Sequence, residues 1–192
     1  IKDLILFKPN KIEDHRGSFQ ESYNQRDFNK IVGKKIEFVQ DNFSVSNKGV
    51  FRGIHFQKKP YEQGKLVRVS LGRVIDFAVD LRKNSPTYLQ WEKVELSDDN
   101  RFQLWIPEGF GHAFFTLSDV AHFCYKTTNF YNKDSEECII QLFVNEGWSS
   151  KGSSINYLNY PKIGSGEYYN HYVDRYKYGI KFKFLASGIM GT

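Results

Sequence analysis

Lys65-Leu66-Val67-Arg68-Val69-Ser70-Leu71-Gly72-Arg73-Val74-Ile75-Asp76-Phe77-Ala78-Val79-Asp80-Leu81-Arg82 is the stretch on which the fold turns. Val67, Val69 and Leu71 alternate with Leu66, Arg68 and Ser70. That period of two belongs to an extended strand and not to a helix. Gly72 marks a turn, after which Ile75, Phe77, Val79 and Leu81 point one way and Asp76, Ala78 and Asp80 the other. The segment reads as a hairpin. Its second arm has one apolar face and one face of small and acidic groups, which suits a barrel wall. The apolar side is expected to pack on a second sheet and the other side to line a polar cavity.

Working outward, the same extended pattern recurs. Strands are expected at Ile1–Phe7, Phe19–Tyr23, Ile36–Ser44 and Val50–Gln57, then at Glu92–Leu96, Gln103–Ile106, Ala113–Leu117, Ala121–Thr127 and Cys138–Phe143. Asp14 to Ser18 reads as a turn. One short helix is expected from Asn24, a capping residue, to Val32, with Phe28 and Ile31 three apart. Short strands at regular spacing, broken by Gly, Pro, Asn and Asp, indicate an all-β antiparallel sandwich or jelly roll. The barrel is expected to occupy residues 1–146. From Gly147 the composition shifts to Ser, Gly, Asn and then Tyr, which suggests an irregular C-terminal extension, 147–192, folded back on the barrel or on a partner subunit.

Composition agrees. Phe (17), Tyr (12) and Trp (3) favour strands, and one Met with few alanines points the same way. The net charge of +5 comes from 27 basic and 22 acidic residues that are interleaved, so no basic arm for nucleic acid stands out. A mildly basic cleft can still draw in a small polyanion such as a nucleotide diphosphate. Cys124 and Cys138 are too few for a disulfide scaffold, and a reducing, cytoplasmic setting fits them best. No apolar run approaches the ~20 residues that a membrane helix needs.

Chemistry concentrates in Arg52-Gly53-Ile54-His55-Phe56-Gln57 and in Gln63-Gly64-Lys65. A guanidinium, an imidazole and an ammonium group can hold an anionic substrate, take a weakly acidic proton and steady the charge that results. His55 reads either as a general base or as a core histidine satisfied by its neighbours. Lys65 either points inward or snorkels at the rim. Strict alternation puts Arg52 and His55 on opposite faces, unless a bulge at Gly53 brings both into one cavity. Tyr125 by itself reads as a half-buried packing residue. Asp76 is placed to pair with His112, for structural reinforcement or for catalysis. Barrels that bind a metal place two histidines one residue apart. Here His55 is followed by Gln57, and with only Glu62 and His112 to supplement it no metal site is expected.

Taken together these segments resemble the dTDP-4-dehydrorhamnose 3,5-epimerase family of cupin-like sugar-nucleotide epimerases. The likeness runs from about Lys8 to Glu137. It includes Asp14-His15-Arg16-Gly17 with Phe19 and Glu21, Phe38-Val39-Gln40-Asp41-Asn42-Phe43-Ser44, the Arg52 and Lys65 segments, Asp76 to Arg82, Leu104 to Phe110 and Tyr125-Lys126-Thr127-Thr128. The resemblance implies a cupin-like jelly roll that epimerises a nucleotide-diphospho-4-keto sugar at C-3, C-5 or both through an enolate, without a cofactor. It makes His55 the base, Lys65 the enolate stabiliser and Tyr125 the acid on the opposite face. It makes Arg16, Glu21, Gln40, Asn42, Arg52, His112 and Tyr131 candidates for holding sugar or nucleotide. In the family the segment around Arg16 and Glu21 enters the neighbouring subunit's site, which implies a homodimer.

The pathway implied is the supply of deoxy sugars or heptoses to a surface polysaccharide. Relatives also carry a C-terminal Asp that holds the catalytic histidine, and nothing in Gln141 to Thr192 reproduces that segment. Asp174, a tyrosine or a backbone carbonyl are the substitutes considered. The altered tail would suit another nucleotide sugar, such as a GDP-linked 4-keto heptose. A 3,4-ketoisomerase and a non-enzymatic sugar-binding cupin are the rival readings.

Overall fold

The structure, a computed structural model, describes residues 1–139. In chain order its elements are β1 (Ile5–Phe7), β2 (Ile12–Asp14), β3 (Gly17–Phe19), α1 (Gln25–Val32), β4 (Gln40–Asn47), β5 (Phe51–Gln57), β6 (Lys65–Leu71), β7 (Arg73–Asp80), β8 (Trp91–Ser97), β9 (Gln103–Ile106), β10 (Phe110–Thr116), β11 (Val120–Thr127) and β12 (Glu136–Ile139). Two five-stranded sheets run in the orders β1-β9-β6-β11-β4 and β12-β5-β10-β7-β8, and β2-β3 forms a separate ribbon. All the pairings are antiparallel. The fold is the all-β, cupin-like jelly roll expected. The first compact unit is Ile1–Ile139. The extension 147–192, Asp174 and the remainder of the last expected strand lie outside the described residues.

The hairpin expected at Lys65–Arg82 does not form. Strand β6 pairs with β9 and β11, whereas β7 pairs with β10 and β8, so the chain changes sheets at Gly72. One linking residue is too short for the two-residue turn that joins paired strands. Instead the corner is bound from outside. Asp98 N–H donates to the Gly72 carbonyl at 3.1 Å, and Arg73 N–H donates to Ser118 Oγ at 2.8 Å. Gly72 has φ +79°, and a Cβ there would collide with the Val120 carbonyl oxygen, so the corner requires glycine on both counts.

The facing of β7 is also corrected. Val74 and Ala78, on the same face as Asp76, join Val67, Val69, Leu104, Phe114 and Phe123 in the core between the sheets. Phe77, on the opposite face, meets the rings of Phe51 and Trp91 on its own sheet. The face of β7 that was expected to line a polar cavity therefore packs into the core, and no residue of β7 is among those lining the cavity between the sheets.

Helix α1 covers the other side of the first sheet. Asn24 accepts from the N–H groups of Arg26 and Asp27 as the cap, as its side chain predicts. Phe28 is buried against Trp105, with ring centroids 5.3 Å apart, beside Ile36 and Leu66. Burial of such a side chain contributes roughly 1.5–3 kcal/mol. Two expected strands are shorter than their sequence pattern. The Ile36 N–H is taken by Asn29 Oδ1 at 2.9 Å, so the strand starts at Gln40. The Ser22 carbonyl accepts from Gln103 Nε2 at 2.7 Å, and no ladder forms over residues 20–24.

Candidate active site

A cavity of about 220 Å³ opens between the sheets, and His55, Lys65 and Tyr125 all line it. Strand geometry explains how they meet. Lys65 shares its face with the core residues Val67 and Val69, so its side chain points between the sheets. Tyr125 is opposite Val67, which makes Lys65 and Tyr125 diagonal neighbours on one wall, roughly 7–8 Å apart along the backbone. His55 is opposite His112 on the facing sheet. An imidazole pair therefore looks across at a phenol and an ammonium group. Gly64, just before Lys65, sits so close to Trp105 that a Cβ would come within 2.5 Å of its Cη2. That approach fixes where β6 begins.

The bulge at Gly53 is present. Between the pairs His112–His55 and Phe114–Arg52, β5 has one residue more than β10. Arg52 consequently lines the same cavity as His55. Its guanidinium is held at the rim by Ser46 Oγ at 3.0 Å and the Val45 carbonyl at 3.3 Å.

Electrostatics separate the groups. Burial lowers the His55 pKa, the charge of Lys65 lowers it further, and the Glu136 carboxylate, with a hydrogen bond to the Gly53 carbonyl, opposes both. The imidazole is thereby kept in its neutral, proton-accepting form near neutrality. Burial also pulls Lys65 down to about 8, against the pull of Asp76 and Glu136. Burial raises the Tyr125 pKa, so the phenol keeps its proton. His112 Nε2 lies 2.8 Å from Asp76 Oδ2, the pair anticipated from the sequence, and its ring stacks on Phe123 with centroids 5.9 Å apart. Burial raises the Asp76 pKa, although His112 and Lys65 hold it back.

Other expected binding residues divide. His112 and Tyr131 line the cavity. Gln40 and Asn42 share a face of β4 with Ser44, a lining residue, and bond to each other at 2.8 Å. Arg16 and Glu21 do not line it. Arg16 is exposed and paired with Asp14, and Glu21 accepts from Asn24 Nδ2 at 3.3 Å.

Four polar lining residues were not among the site candidates read from the sequence: Ser44, Gln57, Gln63 and Glu136. Gln57 and His55 share a face by alternation, which was the available signal for that residue. Glu136 is recognisable only through its pairing opposite Gln57. Among the described residues no group of three or more His, Cys, Asp or Glu is placed to hold a metal ion. The cavity as a whole offers a neutral base, an ammonium, a protonated phenol and a rim guanidinium. Such a set can move a proton from a carbon next to a carbonyl while holding an anionic substrate.

Comparison with known proteins gives the same picture. A family model described as dTDP-4-dehydrorhamnose 3,5-epimerase matches residues 1–145. A dTDP-4-dehydrorhamnose 3,5-epimerase of Shigella flexneri is 53% identical over 157 residues, covering 82% of this chain and 83% of that protein. The crystal structure of the enzyme of that name from Elizabethkingia anophelis NUHP1 aligns with a TM-score of 0.70 at 48% identity, covering 72% of this chain and 75% of the other. A dTDP-6-deoxy-D-glucose-3,5-epimerase from Legionella pneumophila Philadelphia 1, in complex with dTDP-4-keto-L-rhamnose, aligns with a TM-score of 0.70 at 47% identity, covering 72% and 73%.

Proposed function

We propose that this chain, which belongs to the dTDP-4-dehydrorhamnose 3,5-epimerase family and is an isomerase, acts on a dTDP-linked 4-keto-6-deoxy sugar and inverts it at C-3 and C-5. The hydrogens on those carbons are acidified by the C-4 carbonyl. His55 removes one as a neutral base. The electron pair moves onto the carbonyl oxygen, where the Lys65 ammonium stabilises the enolate. Groups of that kind are worth roughly 3–4 kcal/mol in a dry site. Tyr125 then delivers its proton to the opposite face of the carbon, which reforms the ketone with inverted configuration. Arg52 offers the substrate's diphosphate a fixed cation, and Tyr131 lies at the mouth for sugar or base. His55 then releases its proton to solvent and Tyr125 regains one from solvent, which resets the pair for the next inversion. The ketone is restored at its original oxidation level, so no redox partner is needed.

The carrying observation is that His55 and Tyr125 come from opposing sheets into one cavity that also holds Lys65. The test is incubation with dTDP-4-keto-6-deoxyglucose in deuterated water. Deuterium at C-3 and C-5, with the ketone retained at C-4, is expected. A product ketone at C-3 would indicate a 3,4-ketoisomerase, and exchange at background a binding protein; either defeats the reading. Running a GDP-linked 4-keto heptose in parallel decides the nucleotide, for which dTDP is the expectation.

A homodimer is part of the same proposal. Arg16 and Glu21 sit on and after a ribbon whose Ile12 and Phe19 are 65% and 68% exposed, and the edge strand β4 leaves Phe43 60% exposed. A second copy would cover these apolar groups and bring the ribbon to a neighbouring cavity. Sedimentation at micromolar concentration should give twice the chain mass; a monomer would refute this part. Two unpaired cysteines fit a cytoplasmic enzyme serving surface-polysaccharide synthesis. No described helix is long and apolar enough to cross a membrane.

A further inference from the structure

Gln57 stands where metal-binding barrels carry their second histidine, and its buried side chain has other work here. Its Nε2 donates to the carbonyls of Tyr61 at 2.5 Å and Phe130 at 3.2 Å, and its Oε1 accepts the Asn132 N–H at 2.7 Å. The residue between those last two is Tyr131. The Tyr131 N–H donates to Gln40 Oε1 at 3.1 Å and its hydroxyl to Glu136 Oε2 at 2.8 Å. Glu136 is in turn the cross-strand partner of Gln57. The carbonyl before Tyr131, its own N–H, the N–H after it and its hydroxyl are thus all held. The residue nevertheless remains 54% exposed on the wall of the cavity.

An aromatic ring fixed in this way presents a contact surface with little left to lose in ordering when a ligand arrives. A packing residue would be buried, and a merely solvated tyrosine would not be tied at four points. We propose that Gln57 is a positioning residue, which sets Tyr131 as a rigid aromatic platform for the nucleotide end of the substrate. The proposal rests on the nucleotide-sugar reading and concerns binding, not proton transfer.

The test is a double-mutant cycle on the full chain, with dTDP binding measured by calorimetry. Gln57→Ala should weaken dTDP about tenfold in the parent, by releasing a contact of the size that base–aromatic stacking supplies, and less than twofold in a Tyr131→Ala background. KM should rise with Kd while kcat falls less than threefold. Equal losses in both backgrounds, no loss in the parent, or a fall in kcat at constant KM would overturn it. If Gln57→Ala does not fold, Gln57→Glu repeats the cycle, since it keeps the acceptor for Asn132 and removes both amide donors. Failure of the two readings is distinguishable. A tenfold effect on dTDP without any turnover by the parent would sink the epimerase reading alone. Turnover with a flat Gln57 response would sink this one alone, and a parent that does not bind dTDP would sink both.

Discussion

Asp76 presents one carboxylate oxygen to His112 Nε2 at 2.8 Å, while its other oxygen, Oδ1, has no hydrogen-bond partner among the described residues. Burial raises its pKa above the ordinary 3.8. The folded chain therefore holds this proton more tightly than the unfolded chain, and the contribution of Asp76 to stability declines as pH rises through its folded value. Asp76→Asn keeps a partner for His112 and removes the orphaned charge, so stability at pH 7 should stay within about 1 kcal/mol of the parent. Asp76→Ala leaves a buried imidazole unpaired and should cost about 1–3 kcal/mol. Urea unfolding of both variants checks the order; an alanine variant as stable as the asparagine one would contradict it.

Turnover should follow a bell in pH. The base must be neutral, and His55 lies below the ordinary 6.5 through burial and the charge of Lys65, so the acid limb falls below that value. The enolate stabiliser must be charged, and Lys65 titrates at about 8, so activity declines above it. The two limbs belong to a coupled system and not to isolated residues. Lys65→Arg, always protonated, should move the basic limb upward while lowering the rate. A kcat/KM profile of both proteins decides.

Lys65 also carries a stability cost. Its folded pKa is depressed, so the charged form opposes folding below about 8, and that opposition is relieved as pH climbs toward 10.5. Lys65→Met should gain on the order of 1 kcal/mol at pH 7 and lose turnover. Thermal unfolding beside an activity assay would show it, and a destabilised variant would count against the argument.

Tyr125→Phe removes the proton donor and leaves His55 and Lys65 in place. Exchange of substrate hydrogen with deuterated solvent should survive better than inversion. Loss of both to the same degree, followed by proton spectra over time, would remove Tyr125 from the acid role.

Asp80 ties the chain start to the β7–β8 connection. Burial pushes its carboxyl up, but hydrogen bonds from Arg82, Ser85 and Thr87 outweigh that and hold it far below the usual range. Arg82 Nη1 also reaches Asp3 Oδ2 at 2.8 Å. A depressed carboxylate stabilises above its unfolded pKa and loses that contribution as pH falls. Asp80→Asn should cost about 1–3 kcal/mol at pH 7, as for hydrogen bonds to a charged group, because Arg82 stays partly exposed and keeps Asp3. The cost should shrink progressively as pH falls below the ordinary carboxylate range. Chemical unfolding at pH 7 and below that range tests the sign.

Strand alternation from Lys65 to Asp80 and the Asn24 cap were legible in the chain, because each depends on residues within a few positions of one another. The meeting of Arg52, His55 and Lys65 in one cavity stayed open, because it needs the bulge at Gly53 and two facing sheets. Gln57 and Glu136 were not, because their roles arise from a loop and a strand that reach them from more than 70 residues away. The same distinction accounts for the missing hairpin. Alternation says which residues share a face, but not which strand will offer the neighbouring row of N–H and C=O groups.

Local physics, read from the sequence alone, determined that residues 65–71 and 73–80 are strands, that Gly72 breaks them, and that an imidazole, an ammonium and a phenol are available. Only the tertiary structure decided that the two strands enter different sheets, that the Asp76 face of β7 and not the Phe77 face packs against the second sheet, and that His55 meets Tyr125 across a cavity. Pairing depends on backbone hydrogen bonds and packing between segments distant in sequence, and those energies exist only once the whole set of strands has closed.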